Sequence, residues 1–72
     1  MNDIFIHPTA VIDQGAAIGS GTKVWHFCHV MADASVGNDC ILGQNVFIAD
    51  GVVIGDHCKI ENNVSLFKGV IC

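Results

Sequence analysis

The chain has 72 residues, three lysines, no arginine and a formal net charge of −4. That length permits one domain at most, and the acidic balance argues against nucleic acid or an anionic membrane surface as partner. Half of the residues (51%) are hydrophobic and 14% are charged, yet no apolar run is long enough to span a bilayer, and no signal peptide is expected.

Met1 to Phe5 lies outside any pattern and is expected to cap the N-terminus, as residues 1–5. From Ile6 the chain repeats every six residues: Ile6, Ile12, Ile18, Val24, Val30, Val36, Leu42, Ile48, Ile54, Ile60, Leu66 and Cys72. Four residues after each stop comes a small or β-branched residue: Ala10, Ala16, Thr22, Cys28, Ala34, Cys40, Val46, Val52, Cys58, Val64 and Val70. The residues between are mostly turn formers. A helix would need apolar residues at i, i+3, i+4 and i+7. A meander would turn every 8–12 residues. A strict period of six fits a solenoid in which each hexad is one flat side and three hexads close a triangular coil of 18 residues. The prediction is an all-β parallel β-helix of about four coils over residues 6–72. Its inward columns are Ile6, Val24, Leu42, Ile60; then Ile12, Val30, Ile48, Leu66; then Ile18, Val36, Ile54, Cys72.

The first corner reads His7-Pro8-Thr9, Trp25-His26-Phe27, Gly43-Gln44-Asn45 and Glu61-Asn62-Asn63 on successive coils. Trp, Phe and His are unusual turn residues, and large aromatics pointing out of a small coil call for a partner surface. His29 shares an outward column with Phe47 and Ser65. The second corner is mixed, with Met31 and Phe67 expected to project outward. The third, at 19–21, 37–39 and 55–57, is ordinary turn chemistry with His57 at a solvated tip. The chain closes on Gly69-Val70-Ile71-Cys72 in mid-coil with no C-terminal cap, so further coils or an assembly are expected to cover that edge. Cys28, Cys40, Cys58 and Cys72 fall on inward positions and read as reduced core thiols of a cytoplasmic protein. Cys40 and Cys58 are stacked neighbours, where a disulfide would strain the coil.

The first-corner edge brings imidazoles of His26 and His29 beside the amides of Gln44, Asn45, Asn62 and Asn63. These group types suit an amine attacking a thioester: a base for its proton and amides for an oxyanion or sugar hydroxyl. The six-residue pattern resembles that of the hexapeptide-repeat acyltransferases, whose β-helix is left-handed, an exception to right-handed crossovers. Val24-Trp25-His26-Phe27 with His29-Val30, Gly43 to Ile48, and Lys59 to Phe67 resemble one branch, the nucleotide-sugar N-acetyltransferases of surface-polysaccharide biosynthesis. The opening from Ile6 to Ile12 is similar as well. The resemblance implies acetylation of a UDP-diaminouronic acid or dTDP-3-amino-dideoxyhexose by acetyl-CoA. It implies a homotrimer, with the nucleotide-linked amino sugar between subunits near Trp25, His26, His29, Gln44, Asn45, Phe47, Asn62 and Asn63. His26 and His29 are the candidate catalytic groups, and the choice between them stays open. Family members run on for several coils past Val70, which complete the acetyl-CoA groove, so the chain reads as the N-terminal portion of such an enzyme. Two rivals stand beside this one. One is a catalytically silent trimerisation scaffold. The other is a zinc enzyme like the gamma-class carbonic anhydrases, whose histidine spacing His26 and His29 do not match. No metal is therefore expected.

Overall fold

The computed structural model describes residues 3–68. Every element is a two-residue strand, and eleven of them follow one another without a helix among the described residues. They are β1 (Phe5–Ile6), β2 (Val11–Ile12), β3 (Ala17–Ile18), β4 (Lys23–Val24), β5 (His29–Val30), β6 (Ser35–Val36), β7 (Ile41–Leu42), β8 (Phe47–Ile48), β9 (Val53–Ile54), β10 (Lys59–Ile60) and β11 (Ser65–Leu66). Three parallel sheets run the length of the coil, in the orders β1-β4-β7-β10, β2-β5-β8-β11 and β3-β6-β9. Eleven strands at three per coil make three full coils and two sides of a fourth. This is the parallel β-helix that the six-residue period predicts, and its form is consistent with left-handed coiling.

The register is the predicted one. Ile6 pairs with Val24, Val24 with Leu42 and Leu42 with Ile60. Ile12, Val30, Ile48 and Leu66 make the second column, and Ile18, Val36 and Ile54 the third. The predicted Cys72, Val70 and uncapped end at 69–72 lie outside the described residues. Phe5 is a correction to the expected cap: it belongs to β1 and pairs with Lys23, so the repeat starts one residue earlier. The physical reason is that its backbone N–H donates to Thr22 O at 3.0 Å, which extends the first sheet by one residue. Cys28, Cys40 and Cys58 are thiols, and no disulfide joins Cys40 to Cys58.

Thr22, Cys28 and Cys40 share one inward device. The Thr22 hydroxyl donates to Gly37 O at 2.7 Å, Cys28 Sγ to Gly43 O at 2.7 Å and Cys40 Sγ to Gly55 O at 3.0 Å. Each donor lies 15 residues before its acceptor, so each small inward residue ties its corner to the next coil. A carbonyl turned inward at the corner would otherwise be an unpaired buried acceptor. The corners are tied from outside as well. Ser20 N–H donates to Asn38 Oδ1 (2.9 Å), Asn38 N–H to Asp56 Oδ1 (2.8 Å) and Gln44 N–H to Asn62 Oδ1 (3.0 Å).

Candidate functional site

A left-handed residue recurs every six positions from Gly15 onward, at the end of each corner after the first: Gly15, Gly21, Phe27, Asp33, Asp39, Asn45, Gly51, His57 and Asn63. The non-glycine φ values run from 55° to 64°. Gly, Asn and Asp tolerate this region and His is enriched there, whereas a bulky Phe is an outlier. The hexapeptide geometry demands the turn, and Phe27 meets the demand with its side chain 64% exposed. Its backbone N–H is held by Thr9 Oγ1 at 3.0 Å.

Around Phe27 the first corner carries a run of rings. Trp25 lies over Phe5 with ring centroids 4.9 Å apart, and His26 lies against His7 at 3.9 Å. His26 is 6.3 Å from both Trp25 and Phe27. The sequence places His7 on a neighbouring coil and separates it from the candidates, but coil stacking brings it onto His26. His7 Nδ1 accepts the Thr9 N–H at 3.2 Å and lies 2.9 Å from Thr9 Oγ1. His26 forms a ring contact and no side-chain hydrogen bond among the described residues.

His29 sits one flank away, on the outward side of the second sheet, paired in register with Val11 and Phe47. Its ring meets Phe47 edge-on at 5.7 Å, and Phe47 in turn meets Phe67 at 6.0 Å. Phe47 packs half-buried against the core, as does Met31, so Met31 does not project as expected; Phe67 does. His29 Nε2 lies 3.1 Å from Asp13 Oδ2, with the two side chains 43% and 37% exposed. An ionised carboxylate only accepts, so Asp13 takes the Nε2–H and leaves Nδ1 as the ring's acceptor. Asp13 was not among the residues singled out from sequence. The signal is present, since Asp13 stacks under Met31, two residues beyond His29, but it stands in the second corner, whose mixed residues point to no chemistry.

The amide residues divide. Asn62 Oδ1 is used to hold the Gln44 backbone N–H, so this side chain has a structural task that its expected binding role does not account for. The Asn45 and Asn63 N–H groups donate to His26 O and Gln44 O, both at 2.9 Å. The side chains of Gln44, Asn45 and Asn63 form no hydrogen bond among the described residues, and all three are exposed. The corner is thus a ladder of backbone bonds that leaves three amides facing outward. Cys28 closes it from inside, 1% exposed. Burial pushes its thiol above the ordinary value, against smaller opposite effects of hydrogen bonds with the Val46 and Trp25 backbone. The described residues enclose no cavity, so the candidate site is an open edge. No three His, Cys, Asp or Glu side chains among them converge as metal ligands would.

The chain is 42% identical over 60 residues to acyl-[acyl-carrier-protein]–UDP-N-acetylglucosamine O-acyltransferases of Brucella ovis, Brucella canis and Brucella melitensis. The aligned part is 83% of this chain and 22% of each relative, so the chain spans about a fifth of their length. The pattern described as bacterial transferase hexapeptide (six repeats) matches residues 15–50 and 33–68. With its period, its three parallel sheets and these matches, the chain belongs to the bacterial hexapeptide-repeat transferases.

Proposed function

We propose that this chain forms the N-terminal part of an acetyl-CoA-dependent N-acetyltransferase acting on a nucleotide-linked amino sugar in the cytoplasm, assembled as a homotrimer. The single observation that carries this reading is the His29–Asp13 pair at 3.1 Å, with the His29 ring edge-on to Phe47. Homology to acyltransferases supports acyl transfer in general. In the proposed step the amine nitrogen forms a bond to the thioester carbonyl carbon. His29 Nδ1 takes the proton that the nitrogen sheds, while Asp13 holds the opposite ring nitrogen. When the C–S bond breaks, His29 returns the proton to the departing sulfur, and its charge is neutral again. Gln44, Asn45 and Asn63 amides are the groups of this edge suited to sugar hydroxyls. Phe47, edge-on to the His29 ring, excludes water there once a neighbouring subunit covers it. His26, lying against His7, is read as a substrate contact.

The relatives' own name favours a second reading, transfer of an acyl group from acyl carrier protein to a sugar hydroxyl. The same base serves it, so the acceptor atom decides. The test is thiol release from acetyl-CoA with paired UDP and dTDP sugars carrying a 3-amino or a 3-hydroxyl group. Turnover on the amine alone is expected. His29→Gln should lower kcat by about 10²-fold, the low end for a general base, with KM nearly unchanged. Asp13→Asn should lower kcat less and shift its pH profile. Reaction only on the hydroxyl, with acyl carrier protein as donor, would favour the second reading. Neither turnover nor a melting shift with any sugar nucleotide would leave a trimerisation scaffold.

A further inference from the structure

We infer that the outward face of the first sheet, where it meets the first corner, holds a nucleoside diphosphate group, its base against the Phe5–Trp25 pair and its phosphates between Lys23 and Lys59. This deepens the sugar-nucleotide reading by locating the nucleotide half, and it rests on that reading for the identity of the ligand.

Phe5, Lys23, Ile41 and Lys59 stand in one outward column, set by the register of β1, β4, β7 and β10. Two of the chain's three lysines therefore share one strip of a protein whose net charge is −4. Both are exposed, and the ion pairs among the described residues involve histidine, not these lysines. No carboxylate occupies an outward strand position in any of the three sheets. Glu61 opens the adjoining corner, and among the described residues no ion pair joins it to Lys59. Strands two apart in a parallel sheet lie roughly 10 Å from each other, so Lys23 and Lys59 flank Ile41. Each ammonium rides a flexible four-carbon stem, and both reach the space above Ile41. Two cations there match a diphosphate in charge and spacing. In the corner that follows β4, Trp25 rests on Phe5 of the coil before at 4.9 Å and stays 37% exposed, which leaves an aromatic surface for a planar base.

Trp25 is the sole tryptophan, so its fluorescence reports the site without any turnover. The full chain would be titrated with UDP, with uridine and with inorganic pyrophosphate at two salt concentrations. Quenching by UDP is expected, weaker binding of either half alone, and a loss of affinity as salt rises. Lys23→Ala and Lys59→Ala should each raise the UDP Kd by at least roughly tenfold, as expected for a charge-assisted contact. Lys68→Ala, at the second corner, should leave it unchanged. Calorimetry on Trp25→Ala should show UDP binding weakened and pyrophosphate binding intact. The proposal is overturned if UDP fails to bind, if either lysine variant binds UDP as the parent does, or if Trp25→Ala leaves UDP binding unchanged. Because no arm measures acyl transfer, failure here is separable from failure of the proposed reaction.

Discussion

Phe27 occupies a backbone conformation that Asn45 and Asn63 adopt at the equivalent corner of the next two coils. A bulky side chain in that region costs on the order of 1 kcal/mol, and at 64% exposure little core packing offsets it. Phe27→Asn should therefore stabilise the chain by about 1 kcal/mol, a melting rise of several degrees for a domain of this size. A loss of stability would mean that Phe27 packs more than its exposure indicates. Cys28 supports a second expectation. Its folded thiol keeps its proton to higher pH than the unfolded one, because burial disfavours the thiolate. Above the ordinary value of 9.0 the unfolded chain sheds the proton first, so stability falls as pH rises. Urea melts from pH 8 to pH 10.5 should show that slope, and Cys28→Ala should flatten it.

Each element is two residues long, so no strand holds itself, and each is stabilised by the coils above and below. The corners set how closely those coils approach. At Gly37 an added Cβ would fall 2.7 Å from the Gly55 carbonyl carbon and 2.8 Å from the Asp56 nitrogen. Both are backbone atoms of the next coil and cannot swing aside. Gly37→Ala should cost about 1–3 kcal/mol through this overpacking, read as a lower urea midpoint. At Gly43 the clash would fall on the Asn62 side-chain oxygen, which already holds Gln44 N–H. That glycine and Asn62 are a pair, and changing either opens the first corner.

At the scale of the whole molecule, the three inward columns form one continuous core in which Val24, Val30, Leu42 and Ile48 are all 0% exposed. Leu42→Asp would bury an unpaired carboxylate at its centre. The cost is about 4 kcal/mol or more, comparable to the whole stability of a domain this small. The variant should be unfolded by circular dichroism at neutral pH. A retained melting transition would contradict the inward register. The polar atoms are already accounted for: among the described residues, every buried side-chain nitrogen and oxygen has a partner.

The coil, its three columns and the content of each corner are all legible in the residue pattern alone. The reason is that a strict period of six admits one way to bury an aliphatic residue at every step, and stacking by 18 then follows from three sides per coil. The sequence also marked Trp25, His26, Phe27 and His29 as out of place in turns, since such residues are not what a corner needs. What lay beyond it were contacts between side chains of different corners and coils. Asp13 reaches His29 across 16 positions, and His7 meets His26 although their backbones occupy different columns. The task of Asn62 was also hidden, because an amide in a stack can bond a ligand or a backbone with equal ease. These outcomes depend on side-chain direction and on the distance between neighbouring coils, which only the folded stack decides.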